Sequence, residues 1–347
     1  MNLRRKRGAA RLDALLAAAF CAALLVWAVW PRLPRLGAAR APRTIVFYGF
    51  SILGETMNEA IFPAFEKSWR ARPGEAIEGV GSFAGSGTVA NQIILGAPAQ
   101  LALLSLESDA ERLAAAGVVP EASWHSLPHQ GVVNRTPFFI LVRPGNPKNI
   151  RGFSDLARPG IGLVHPDPLT SGGGNWAILA EYGAGQRVAG RASDGERLLA
   201  GIWKNVVAQA SSARAARAQF ENGFGDALVT YEQEALFDAS RGRLRAEIVV
   251  PGSTVLSEHT LVVIDRNVAE ADRPAVTALA RFLWSDEAQR LFAVRGFRSV
   301  DERFNEERPF PTIRDPFFVS DFGGWAHARR DILDGVWKNR VLKAIQP

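Results

Sequence analysis

Beyond about residue 42 the chain alternates between short apolar runs and longer stretches whose apolar positions recur every three or four residues. The short runs predict strands at Thr44–Tyr48, Ala76–Val80, Gln100–Ser105, Phe138–Val142, Ile161–Val164, Ala227–Thr230, Glu247–Val250 and Leu261–Ile264. The longer periodicity predicts helices at Glu55–Arg70, Gly87–Leu95, Ser108–Ala115, Gly172–Glu181, Gly195–Trp203, Ala213–Glu221 and Arg273–Leu283. Strands alternating with amphipathic helices predict an α/β fold with mostly parallel sheets flanked by helices. Two groups of strands joined by crossing segments predict two lobes and a hinge. One crossing is expected at Phe138–Val142 and the Arg143-Pro144-Gly145-Asn146-Pro147 that follows, the return near Val250–Leu261.

The first 42 residues follow a different pattern. Ala14–Pro31 carries no charge and follows Arg4-Arg5-Lys6-Arg7, a cationic stretch before an apolar run, as in a secretory signal. The run is long for a cleaved signal and near the ~17–25 residues that span a bilayer. Ala39-Arg40-Ala41 has the spacing of a cleavage site, but Pro42 follows it. Residues 1–42 are therefore either a signal sequence or an anchor touching the membrane through residues 14–31. Either way the remaining chain is expected outside the cytoplasm.

Composition narrows the function classes. With 347 residues, 47% hydrophobic and 22% charged, the chain is globular and long enough for two core-bearing lobes. A single cysteine, Cys21, excludes an intramolecular disulfide and a Cys-based zinc cluster. The formal net charge of +6 sits in the leader: residues 1–42 hold eight Lys/Arg against one acid, the rest 33 against 34. The body is thus close to neutral, and a nucleic-acid partner is not expected.

Candidate chemistry lies at three loop-to-helix junctions: Ala84-Gly85-Ser86-Gly87-Thr88, Thr170-Ser171-Gly172-Gly173-Gly174-Asn175-Trp176 and Ser211-Ser212-Ala213-Arg214. Glycine admits close backbone approach, and a helix start offers unpaired N–H groups and the positive end of the dipole. Together these can bind an anion without a cation. Each junction alone also reads as an ordinary capped turn. Other chemistries fail by inspection. None of the six lysines follows a glycine, so there is no Walker A loop, and Gly81-Ser82-Phe83-Ala84-Gly85 lacks dinucleotide spacing. His125 and His129 are separated by Pro128, and His165, His259 and His327 stand alone, so neither a metal nor a cofactor is expected. Glu232 and Glu234 read as solvated surface, with an ion pair to Arg214 as a second role.

The stretch Arg143-Pro144-Gly145-Asn146-Pro147-Lys148-Asn149-Ile150, then Asp155-Leu156-Ala157-Arg158-Pro159-Gly160-Ile161 and Pro168-Leu169-Thr170-Ser171-Gly172-Gly173-Gly174-Asn175-Trp176, resembles the periplasmic sulfate/thiosulfate-binding proteins of bacterial ABC transporters. Gly85-Ser86-Gly87, Asn222–Val229, Glu232–Ala235 and Phe322-Gly323-Gly324-Trp325 add to the resemblance, which runs from about Thr44 to Ala344. It implies a type II periplasmic-binding-protein fold, with lobe 1 formed by residues 43–142 and 251–325, lobe 2 by 143–250, and 326–347 as an extension. It also implies a dehydrated oxyanion between the lobes held by Ser86, Ser171, Gly172, Gly173 and Ala213, the last nearly interchangeable with Ser212, with Arg214 in support. The family's indole donor falls on Tyr231 and a family aspartate on Ser51, and both hydroxyls can accept as well as donate. Expected, then, is a monomeric, non-enzymatic receptor for sulfate or thiosulfate that delivers to transporter permease subunits. Alternatives are a tethered oxyanion sensor or accessory protein, a binder of phosphate, another oxyanion or a sulfonate, and a phosphoryl or sulfuryl transferase.

Overall fold

The structure, a computed structural model, describes residues 42–70, 76–308 and 310–345. The leader and Cys21 lie outside the described residues. Strand β1 (Arg43–Phe50) turns Ile45 and Phe47 into the core by simple alternation and is followed by helix α1 over residues 54–69. Next come β2 (Ile77–Ala84), α2 (Ser86–Ile94), β3 (Leu101–Leu104) and α3 (Glu107–Ala115). The long β4 (Val132–Val142) leads through the short α4 (Phe153–Leu156) to β5 (Leu163–Pro166), α5 (Gly172–Ala189), α6 (Ala192–Trp203) and β6 (Val206–Ala210). Then follow α7 (Ala213–Glu221), β7 (Ala227–Tyr231), α8 (Glu232–Ser240), β8 (Glu247–Val249) and the second long strand, β9 (Ser253–Val263). The remainder is α9 (Arg273–Phe282), α10 (Asp286–Val294), β10 (Arg298–Ser299), α11 (Glu302–Glu306), β11 (Asp315–Phe317) and a final helix, α12, over residues 325–345.

The strands pair in the order β2-β1-β3-β9-β4-β7-β5-β6, with β8 and β10 also on β4 and β11 on β9. The outer groups, β2-β1-β3 and β7-β5-β6, are parallel as expected. The centre is antiparallel, because β9 runs against β3 and β4, and β4 runs against β7. Strand β4 itself changes partner: Val132–Pro137 pairs with β9 and Phe138–Val142 with β7. The chain therefore passes between the two strand groups inside one continuous strand.

The sequence pattern hid the length of β4 and β9 because their first halves are polar. Asn134, Thr136, Thr254, Ser257 and His259 are nonetheless buried. Several of them are paired: Ser257 Oγ donates to the Thr136 carbonyl at 2.6 Å, Thr254 Oγ1 to the Phe138 carbonyl at 2.9 Å, and His259 Nδ1 meets Asn134 Oδ1 at 2.6 Å. A buried polar group is tolerated when it is hydrogen-bonded, so this seam behaves as strand despite its composition. Helices α8, α10 and α12 were also not anticipated. The last packs its apolar face on the second strand group's helices, with Trp325 4.7 Å from Trp176 and Trp337 5.1 Å from Trp203, both edge-to-face. Such pairs add about 0.5–1.5 kcal/mol beyond their buried area.

Candidate functional site

Three helices begin directly beyond the carboxyl ends of strands: α2 after β2, α5 after β5 and α7 after β6. Their first turns converge. The loops before them are tied together, Thr170 Oγ1 donating to the Ser211 carbonyl at 3.1 Å and the Thr88 amide to the Thr170 carbonyl at 3.3 Å. Gly85 backs onto the carbonyls of Thr170 and Ser211, leaving no space for a Cβ. Gly172 is equally confined: a Cβ there would stand 2.7 Å from Ser105 Cβ and Oγ and 3.0 Å from Ser86 Cβ. At Gly173 a Cβ would lie 3.0 Å from Tyr231 Cε2 and 3.3 Å from both Ala213 Cβ and Ser171 Oγ. Ser86, Ser171, Gly172, Gly173, Ala213 and Tyr231 are thus neighbours, drawn from three junctions and the end of β7.

The helix starts differ in their capping. Ser212 caps α7 itself, accepting from the Ala215 amide at 3.1 Å. Neither Gly85 nor Ser171 caps its helix with a side chain, so the first N–H groups of α2 and α5 have no such partner. Free N–H groups and aligned dipoles at one point favour negative charge there.

A hydroxyl network lines the same place. Ser86 is 1% exposed, and its Oγ donates to Asp109 Oδ2 at 2.7 Å while accepting from the Ser105 amide at 3.0 Å. Ser105 Oγ lies 2.7 Å from the Tyr231 hydroxyl, and the Ser105 carbonyl accepts from Trp176 Nε1 at 2.7 Å. Burial holds the Tyr231 phenol well above its ordinary pKa, so it stays protonated and can donate. Beside it, burial pushes the His259 imidazole down to about 3. Its ring packs 4.4 Å from Phe50 and 5.9 Å from Tyr231. A cavity of about 160 Å³ borders this arrangement, lined by Gly87, Asp109, Thr170, Ser171, Arg329 and Trp337 among others.

Two expected residues stand slightly apart. Ser51 opens a 3₁₀ turn, Ser51–Leu53, that lies beside α7 and follows Phe50, whose ring is 6.0 Å from Tyr231. Arg214 spends its charge on carboxylates, with Nε 3.0 Å from Glu234 and Nη1 3.2 Å from Glu55. The solvated reading of Glu232 and Glu234 is corrected, since both are fully buried in the first turn of α8. Glu234 faces Arg214 and takes the Thr230 hydroxyl at 2.8 Å, and Glu232 takes Arg298 in two hydrogen bonds of 2.7 and 2.8 Å. Buried carboxylates persist only when paired in this way. Ser105 and Asp109 were not recognised from sequence as part of the site. Nothing in a serine ending an apolar run, or an acid inside an amphipathic helix, marks them in advance.

Among the described residues no three His, Cys, Asp or Glu side chains are arranged to hold a metal. His125 instead faces Glu107 at 2.6 Å, and His165 faces Glu181 at 3.4 Å in the core. What converges is a set of N–H and O–H groups suited to holding a small anion by hydrogen bonds.

The sequence is 33% identical to a sulfate-binding protein of Salmonella typhimurium over 276 residues, covering 77% of this chain and 83% of that protein. It is 30% identical to a thiosulfate-binding protein of Pseudomonas aeruginosa, covering 86% and 92%. The sulfate-binding protein SubI from Mycobacterium tuberculosis superposes with a TM-score of 0.75 at 30% identity, over 82% of this chain and 97% of that one. No helix among the described residues is long and apolar enough to cross a membrane. The profile of the bacterial extracellular solute-binding proteins matches residues 53–298, and the chain belongs to that family.

Proposed function

We propose that the protein is an extracytoplasmic receptor that binds a small tetrahedral oxyanion, sulfate or thiosulfate, and delivers it to the permease subunits of an ABC transporter without chemical change. The observation that carries the reading is the meeting of Gly172 and Gly173 with Ser86, Ala213 and Tyr231. The amides of Ser86, Gly172, Gly173 and Ala213 and the hydroxyls of Ser171 and Tyr231 would donate to the anion, Ser51 would complete the shell, and Arg214 would brace α7 through Glu55 and Glu234. The names of the relatives support the choice of ligand. The lobes would be residues 43–142 with 251–325 and residues 143–250, with Phe138–Val142 seated among the strands of the second. Ligand binding would shift the population toward the closed arrangement. Residence in the periplasm as a monomer, by a cleaved or a retained leader, belongs to the same reading.

Isothermal titration of the purified full-length protein with sulfate, thiosulfate, phosphate, molybdate and a small alkylsulfonate tests it. Binding of sulfate or thiosulfate is expected. A folded protein silent to every tetrahedral anion in the panel overturns it. The pairing of Ser105 and Tyr231 hydroxyls favours a second ligand, hydrogen phosphate, because such a pair can accept as well as donate.

A further inference from the structure

We propose that Glu55 and Glu59 on α1, facing Arg214, Arg241 and Arg243, form an ionic latch that makes its bonds when the two strand groups close and slows release of the bound anion. This rests on the oxyanion reading above and concerns how long the anion is held. The latch adjoins the cradle: Glu55 follows Ser51 by four residues, and Arg214 follows Ala213 directly. Its two sides come from different strand groups. Helix α1 follows β1, whereas Arg214 lies in α7 and Arg241 and Arg243 follow α8, and both of those helices pack on β7. Between the sides Arg241 Nη2 donates to Glu59 Oε2 at 2.5 Å, Arg214 Nη1 to Glu55 Oε2 at 3.2 Å and Arg243 Nη2 to Glu55 Oε1 at 3.4 Å. Each half is also anchored within its own group. Arg295, just beyond α10, which packs on α1, donates to the same Glu59 oxygen at 2.8 Å. Arg243 donates to the buried Asp238 at 2.9 Å, and Arg241 lies 4.2 Å over the Phe237 ring. Opening therefore breaks only the cross-pairs and leaves both halves in place.

Access of water separates these pairs from their neighbours. Glu232, Glu234 and Asp238 are fully buried, so parting them from their arginines would strand a charge. Glu55 is 28% exposed and Glu59 43%, so water takes over when the cross-pairs part. Exposed pairs are individually weak and screened by salt, which suits a contact that must open and close. Hydrogen bonds from Arg241 and Arg295 hold the Glu59 carboxyl down to about 2, so the latch keeps its charge at neutral pH and is loosened by salt.

Stopped-flow fluorescence of the full-length chain with sulfate, unaltered and as Glu59→Gln, Arg241→Gln and the two combined, at low and high sodium chloride, reads association and release separately. Release is expected to be about threefold faster in each single variant, the worth of one exposed pair, and no faster in the combined one. Association should be unchanged. High salt should speed release in the unaltered chain and alter it less in the variants. An unchanged release rate in both single variants overturns the proposal. So does a fall in melting temperature without faster release, which marks pairs that merely stabilise the fold. If the folded, unaltered chain binds no tetrahedral oxyanion, the oxyanion reading itself has failed. The latch is then read from small-angle scattering of the ligand-free chain at low salt, where a larger radius of gyration in Glu59→Gln sustains it and an identical one overturns it.

Discussion

Replacing Gly172 by valine tests the anion cradle at its tightest point. The backbone there is ordinary helix, so the effect comes from space alone. The first added carbon would lie 2.7 Å from Ser105 Cβ and 3.0 Å from Ser86 Cβ, against the 3.5–4.0 Å of an unstrained carbon contact. Closing that gap requires a shift of about 1 Å between the start of α5 and the end of β3. Ser105 cannot yield cheaply. It is fully buried, and its amide, hydroxyl and carbonyl are engaged by Ser86, Tyr231 and Trp176. Overpacking of this kind costs about 1–3 kcal/mol of stability, which for a chain of this size is a fall in Tm of about 1–2 °C per kcal/mol. Binding should suffer more, because the shift moves the amides of Gly172 and Gly173 away from the anion. Each hydrogen bond to a charged group lost in this way weakens binding by about tenfold to a hundredfold. Thermal melting and sulfate titration of the same sample separate the two effects. Native-like melting with unchanged sulfate affinity would refute the placement of the anion at this loop.

Two further outcomes follow from the same region. Tyr231→Phe removes the partner of the buried Ser105 hydroxyl and should destabilise the fold by about 1–3 kcal/mol in chemical denaturation. It should also lower affinity for every oxyanion, and a variant as stable and as tight as the unaltered chain would remove Tyr231 from the network. His259 is kept neutral by burial, with its folded pKa near 3 and its unfolded pKa near 6.5. Below pH 6.5 the unfolded chain takes up a proton that the folded one refuses, so stability present above that pH is lost as pH falls toward 3, by at most about 1.4 kcal/mol per pH unit. His259→Gln should flatten this acid limb, and an identical slope in the variant would show that other groups set it.

The parts of the fold legible in sequence are those with a local cause. Helix α7 begins and ends where expected because Ser212 is a self-sufficient cap and the apolar positions behind it are regular. The three junctions were visible for the same reason, since glycines and hydroxyls next to a helix start carry their chemistry with them. Helix α8 was missed because its first-turn acids looked solvated, whereas Arg298, Arg214 and Arg217 reach them from distant parts of the chain.

By itself, then, the sequence determined the alternation of strands and helices, the near-neutral body behind a basic leader, and the three places where backbone donors could gather. Only the tertiary structure decided which hydroxyl gives and which accepts. That depends on Asp109 and Ser105 being brought onto Ser86 and Gly172, and Tyr231 onto Ser105 and Gly173, from other elements. The same holds for the polar seam of β4 and β9, where Ser257 and His259 find partners on the opposite strand. A hydrogen bond between residues far apart in the chain leaves no periodic trace, because neither partner alone differs from a residue that faces water.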